Sequence, residues 1–510
     1  MPNLVSKFHS MKKGFFLGLL LLSTIGYSQN DALFQSQWRH TIDQIVDFVA
    51  LPNDANDLAD INRNLFWLEK EFAERGFNTS VLPTSGAPLF FAALPQKPGL
   101  KTFLIYMHFD GQAVDPAKWN QSNPYQVVLK SPDQTGWKER PFSDLNDSIP
   151  ENWRLFGRST SDDKGPIVAL LNAIDLTIKR GVPLAYNIKV ILDSEEEKSS
   201  APLAQAVVNY KELLAADILV INDGPLHPSG APTLIYGCRG ITTLELTTYG
   251  PSVPQHSGHY GNFAPNPALS LAQLLASMKD QQGRVLIPGY YQGIEISDQV
   301  NQVLSAVPDR TEAIAQSLGF AQPDAVGDFY QQSLQYPSLN IRGMSSAWVG
   351  DQARTVVPAT ATAALDLRLV VESDGNRLKQ LVKEHIKKQG YTLLDHVPSA
   401  QERERFAKIV SITEGGVTDA FRTDLSLPFG QTLKSQMESW YGEPVVQIRT
   451  MGGTVPIAPF VNALKIPAYI VPLVNADNNQ HSPNENITLG QVAYGIKFFE
   501  RLLTTPNLVP

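Results

Sequence analysis

Residues Asn187 to Ser200 constrain this chain more than any other stretch. An apolar run, Ile188 to Leu192, empties into Asp193-Ser194-Glu195-Glu196-Glu197. The run reads as a buried strand, short, apolar and bounded by polar residues. Three consecutive glutamates at the mouth of such a strand are expensive, because like charges crowd one another where solvation is poor. A cation beside them removes that cost, and one carboxylate can then bind metal while its neighbour handles protons. Taken alone, the run also reads as a solvated turn, the usual fate of a charge run.

The surrounding pattern bears on the choice. The strand Asn187 to Asp193, a helix over Leu203 to Leu214 and a strand over Asp217 to Asn222, ending at Asp223, alternate as βαβ and predict a largely parallel sheet. Upstream, Thr102 to Met107 is a second strand of buried type and ends at His108-Phe109-Asp110. Helices over Phe34 to Phe48 and Asp57 to Arg75, and short strands over Asn78 to Leu82 and Leu89 to Ala93, precede it. Asn120 to Ser148 is rich in turn residues and reads as a long surface connection. Leu155 to Gly165 leads into a helix over Pro166 to Lys179, with proline just inside the helix start.

From about Arg239 the pattern changes. Ile241 to Tyr249 alternates as a half-exposed antiparallel strand. Helices over Pro267 to Lys279, Ser297 to Ala306, Arg310 to Leu318 and Gly375 to Gln389 accompany strands near Leu339 to Met344, Ala361 to Val370 and Tyr391 to Asp395. A helix over Gly430 to Tyr441, strands over Val445 to Arg449 and Ala468 to Val471, and a helix over Leu489 to Leu503 return to the first pattern. A chain of 510 residues exceeds one ordinary core. The expectation is a discontinuous catalytic domain, residues 30–238 and 426–510, with an α+β domain inserted at 239–425.

Composition excludes some classes. Hydrophobic content of 43% and charged content of 18% belong to a globular chain, not a disordered one. A net charge of −8 gives no basic face for nucleic acid. Cys238 is the single cysteine, so no intrachain disulfide can form. Lys12 and Lys13 precede an apolar run, Gly14 to Ile25, and then small and polar residues to Asn30. That layout predicts a signal peptide over residues 1–29, with a start possible at Met11 and cleavage near Ser28 or Gln29, and hence an exported, periplasmic or secreted protein.

In open α/β sheets, ligands sit beyond the carboxyl ends of the strands. Three strands end there in metal-competent residues: His108 with Asp110, Glu196 with Glu197, and Asp223. Asp162 lies in the turn before a helix, and His481 follows the last apolar strand. Each has an ordinary alternative. His108 could be a satisfied core histidine, Asp223 a turn former before Gly224-Pro225, Asp162 a helix N-cap and His481 a loop residue. Together they form an oxygen- and imidazole-rich set without thiolate, suited to zinc or manganese.

At this point the chain resembles a family, the co-catalytic dinuclear metallopeptidases that include carnosine dipeptidases, cytosolic non-specific dipeptidase, carboxypeptidase G, aminoacylase and succinyl-diaminopimelate desuccinylase. The matching pieces are His-Phe-Asp at 108–110, Gly-Arg-Ser-Thr-Ser-Asp-Asp-Lys-Gly at 157–165, Glu-Glu at 196–197, Ile-Asn-Asp ending at Asp223, and Tyr-Gly-Cys-Arg-Gly at 236–240. They continue with His-Ser-Gly-His-Tyr-Gly at 256–261, Arg-Leu-Val at 368–370, Gly-Gly-Thr-Val-Pro-Ile at 452–457 and His481-Ser482. The dipeptidase branch fits best. The resemblance implies a phosphorylase/hydrolase-like α/β catalytic domain with a mixed, mainly parallel sheet, and an inserted ferredoxin-like α+β domain that serves as dimerisation domain or lid.

By the same resemblance, Asp162 bridges two divalent metal ions, zinc or manganese. His108 and Asp223 complete one site, while Glu197 and His481 complete the other. Glu196 is the general base toward a metal-bridging water, and Asp110 orients His108. The peptide after Asp162 is expected to be cis. His256 would reach the oxyanion from a partner subunit of a homodimer, and Arg368 with Gly452, Gly453 and Thr454 would hold a substrate carboxylate. From the residues alone, Arg368 reads as a surface-strand cation and His256 as a turn residue before Ser257-Gly258. Two departures stand out: Ser159 replaces the usual glycine, and Lys198-Ser199-Ser200 replaces x-Gly-Ser. The glutamate triplet also leaves Glu195-Glu196 as an alternative working pair. The implied function is a dinuclear metallo-exopeptidase of dipeptidase or carboxypeptidase type. The alternatives are an N-acyl-amino-acid deacylase of the same fold and a binding protein that has lost the chemistry.

Overall fold

The computed structural model describes residues 32–134 and 136–509, so the segment read as an export signal lies outside the described residues. Backbone contacts divide the chain into two units, one running to Ala231 and resuming at Val471, the other spanning Pro232–Ile470.

In the first unit, strand Thr102–His108 lies between two parallel neighbours, Asn187–Asp193 and Ile218–Ile221. Every residue of Thr102–His108 and Asn187–Asp193 is buried, which is why neither alternates; the one charge inside them, Lys189, donates to the Leu213 and Ala215 carbonyls at 2.7 Å. Leu89–Ala93 pairs antiparallel with Asn187–Asp193, and Asn78–Leu82 closes that edge. The register sets His108 opposite Asp193, so the strands finish level and their acidic and imidazole ends converge. Helix Lys164–Arg180 packs against helix Leu489–Thr504, which approaches closely because it carries Gly495 there; a Cβ at that position would stand 3.1 Å from that of Ala169.

The polar stretch 120–148 is not one long connection. It contains strands Val128–Asp133 and Gly136–Glu139, which join Arg154–Phe156 and Asn486–Thr488 in a four-stranded antiparallel sheet. The outer strand Gly136–Glu139 is fully exposed, so its side chains give no buried face to reveal it. The helix expected over Leu203 to Leu214 breaks at Tyr210 into Leu203–Asn209 and Lys211–Leu214.

The second unit holds a five-stranded sheet in the order Ser338–Ser345, Thr360–Leu369, Gly240–Tyr249, Ile409–Thr418, Thr392–Leu394, antiparallel except for the last pair. Burial alternates along Gly240–Tyr249 and Thr360–Leu369, with Leu244, Leu246, Leu365 and Leu367 on the covered face. Helices Pro267–Ala276 and Gly375–Lys388 cover that face with Leu271, Leu274, Leu378 and Val382. Thr233–Ile235 pairs in parallel with Val446–Ile448 and antiparallel with Ile470. This strand set ties residues 428–470 to 232–238, so the expected boundaries at 238 and 426 fall inside the second unit.

Candidate metal centre

All five expected metal ligands, with Glu196 and Asp110, belong to the first unit. Three parallel strands deliver His108, Asp110, the 193–197 turn and Asp223 to their carboxyl ends, as such sheets do. The structure brings the ligand candidates into two groups. His108, Asp162 and Asp223 place ligand atoms within 4.8 Å of one another, and so do Asp162, Glu197 and His481. Asp162 belongs to both, which is the arrangement of a carboxylate shared between two cations. Its Oδ1 lies 2.8 Å from His108 Nε2, and its Oδ2 lies 3.1 Å from His481 Nε2. The buried Oδ2 accepts no hydrogen bond, despite its short distance to the imidazole. An orphaned buried oxygen facing a ring nitrogen is a lone pair suited to a metal ion. His481 Nε2 is also 3.0 Å from Glu197 Oε2. The residues therefore fit a pair of divalent cations.

The electrostatics agree. Burial pushes Asp223 and Asp110 up to about 6, although His108 pulls both down. Burial likewise raises Glu196 well above the ordinary carboxylate range, with Asp223, Asp110 and Asp162 adding to the effect and His108 opposing it. His481 is raised to about 10 by its contacts with Asp162 and Glu197. Asp162 goes the other way: against the effect of burial, His108 and His481 hold its carboxyl below the usual range. A cation beside the raised acids would replace their protons.

Asp110 does more than face His108, whose Nδ1 is 3.3 Å away. Its two oxygens accept the backbone N–H groups of Glu196 and Glu197 at 3.2 and 3.0 Å. One buried carboxylate thus orients an imidazole and anchors the turn that carries the glutamates. The three glutamates of the triplet differ in their contacts. Glu195 turns away, accepting from Ala87 N at 2.8 Å and pairing with Lys198, and only Glu197 of the three joins a ligand group. The Asp162–Asp163 peptide is cis.

Two residues that sequence reasoning missed stand beside the groups. Gln112 Nε2 donates to Glu197 Oε2 at 2.9 Å. Glu485 accepts from the backbone N–H groups of Ser159, Ser161 and Asp162. Gln112 follows His-Phe-Asp by two positions and Glu485 follows His481 by four, so proximity to a ligand was the only signal in the sequence.

The remaining expected site residues belong to the second unit. Arg368 on Thr360–Leu369 donates from Nη1 to Thr454 Oγ1 at 2.8 Å, which joins two of the residues expected to hold a carboxylate. Gly452 and Gly453 immediately precede that threonine. His256 is exposed and caps the short helix Ser257–Tyr260, its Nδ1 accepting from Gly258 N at 3.0 Å.

The family model described as Peptidase family M20/M25/M40 matches residues 105–505. The chain belongs to this family. It is a metal-dependent peptide hydrolase. The peptidase is 28% identical over 456 residues to the Cys-Gly metallodipeptidase of Candida albicans, covering 87% of each chain. It is 26% identical over 421 residues to the human Beta-Ala-His dipeptidase, covering 81% of the peptidase and 76% of the relative. The solved M20 family metallo-carboxypeptidase Sso-CP2 from Sulfolobus solfataricus superposes with a TM-score of 0.72 at 26% identity, covering 91% of the peptidase and 98% of that chain. The expectation of export is corrected. The Cys-Gly metallodipeptidases of three yeasts, similar over 80–87% of the peptidase, stand against it, and no exported compartment is assigned.

Proposed function

We propose that the peptidase is a dinuclear dipeptidase. His108, Asp162 and Asp223 would hold one divalent ion and Asp162, Glu197 and His481 the other, as zinc or manganese. The observation that carries this reading is the single carboxylate of Asp162 common to both groups. When bound, such ions polarise a scissile carbonyl and acidify water. Glu196 is the base: its raised proton affinity suits it to take a proton from water and return it to the departing amine. Asp110 fixes the backbone from which Glu196 projects and turns His108 toward Asp162. Arg368, held by Thr454, offers a planar fork for the carboxylate of a short peptide, with Gly452 and Gly453 leaving backbone free to approach it.

The similarity to Cys-Gly and Beta-Ala-His dipeptidases supports a dipeptide substrate over a longer one. We also assign the five-stranded unit within 239–425 to dimerisation, with His256 of the partner subunit supplying a donor to the oxyanion, and residues 30–238 with 426–510 to catalysis. The test is a panel of dipeptides and N-acyl amino acids with zinc or manganese. Dipeptide hydrolysis is expected, lost by about 10²-fold or more in Glu196→Ala with metal content unchanged. Turnover of acyl amino acids alone would replace this reading with a deacylase, and an active Glu196→Ala would remove the assigned base.

A further inference from the structure

Glu485 is 0% exposed and lies four residues beyond His481, immediately before strand Asn486–Thr488. That strand pairs with Arg154–Phe156, and the pairing delivers Glu485 to the 157–162 turn. Its backbone carbonyl accepts from Gly157 N at 3.0 Å. Its Oε1 accepts from Ser161 N at 3.0 Å, Ser161 Oγ at 2.9 Å and Asp162 N at 3.0 Å. Its Oε2 accepts from Ser159 N at 2.9 Å and from Arg158 Nη1 at 2.9 Å. A buried carboxylate with donors on both oxygens holds its partners in one geometry, because releasing any of them strands charge in the interior. Three of the partners here are backbone N–H groups of the turn that ends in Asp162, joined by Ser161 Oγ and Arg158 Nη1. None of the side-chain contacts is needed to close the sheet, whose ladder is made by backbone groups alone.

We propose that Glu485 is a positioning residue for the metal centre, the group that sets Asp162 where both ions can share it. It couples the turn carrying Asp162 to the chain segment carrying His481, so the common ligand and one outer ligand are placed as a unit. The inference rests on the assignment of Asp162 and His481 as metal ligands.

The test uses the full chain, stripped of metal and titrated with Zn2+ against a chromophoric chelator. Glu485→Gln keeps the volume but offers one acceptor oxygen, and its NH2 must face donors on the other side. Zinc affinity at one or both sites should fall about 10- to 100-fold, with unchanged circular dichroism. Arg158→Gln leaves the three backbone bonds and should shift affinity in the same direction by less. A carboxylate that merely filled the interior would lower the unfolding temperature of the stripped protein and leave zinc affinity alone. Wild-type zinc affinity in both variants would overturn the inference while leaving the metal centre intact. If Glu485→Gln does not fold, the Arg158→Gln titration decides alone: weaker zinc supports the coupling and unchanged zinc refutes it. A wild-type chain that takes up no zinc would remove the metal centre and this inference together.

Discussion

Two serines stand where relatives of this kind were expected to carry glycine, and both have left-handed backbones. Ser159 has φ 65° and Ser199 has φ 70°. A side chain in that region costs about 1 kcal/mol relative to glycine. Ser159 recovers part of it, since its Oγ accepts from Asn53 Nδ2 at 2.9 Å. Ser199 is exposed and caps the Glu196–Lys198 turn through its backbone alone. Ser199→Gly should therefore stabilise by about 0.5–1 kcal/mol, read as a rise of about 2 °C in thermal unfolding, whereas Ser159→Gly should be close to neutral. Equal gains at both sites would mean that the Asn53 contact is worthless. At this scale the sequence was most legible where a proposed ligand ends an apolar strand, as at His108 and Asp223. It was least legible at Gln112 and Glu485, whose partners are distant in sequence. Nothing in Asn-Asn-Gln-His-Ser-Pro-Asn-Glu distinguishes a buried carboxylate from loop.

The helix Lys164–Arg180 shows how an element can fix a site it does not contain. Lys164 is 0% exposed, and burial pushes its amine well below the usual lysine range. Its Nζ donates to the carbonyls of Phe48 and Leu51 at 2.9 and 2.6 Å, with the Phe48 ring beneath it. Those contacts pin the start of the helix, two residues after Asp162, to the end of the first helix in the described chain. Lys164→Met keeps the stem but removes the donor to the Leu51 carbonyl, the Phe48 carbonyl still accepting from Leu51 N at 3.2 Å, at a cost of about 1–3 kcal/mol. Urea denaturation should show a lowered midpoint with an unchanged slope. Unaltered stability would show that water reaches the Leu51 carbonyl. Elements with strong periodicity, such as this helix and strand Gly240–Tyr249, were visible in the sequence within a residue or two. Strand Ile409–Thr418 was not, because Glu414, Gly415 and Gly416 interrupt its alternation at a register shift against Gly240–Tyr249. The strand pair Val128–Asp133 and Gly136–Glu139 was missed for the complementary reason, its outer strand having no buried face.

At the scale of the whole molecule, both ligand groups lie in one of the two units, and this confines the effect of metal. A ligand bound only by the folded state adds about 2.7 kcal/mol when it is 100-fold above its dissociation constant. Calorimetry of the metal-loaded chain should therefore show one transition that chelation lowers, by on the order of 5 °C or more, and a second that it leaves in place. The lowered transition should also acquire a pH dependence with a definite sign. Burial raises Asp110 and Asp223 to about 6 in the fold, against 3.8 for a free aspartate. Their proton affinities are raised by folding, so the metal-free folded state binds more protons than the unfolded chain between these values. Its stability must then fall as pH rises from about 4 through about 6. Metal ions displace those protons, and the loaded protein should lack that decline. Asp162→Asn removes the ligand common to both groups and should reproduce the lower, chelation-insensitive transition without a chelator. Two transitions that move together on chelation would show that the ions stabilise more of the chain than the unit that holds their ligands.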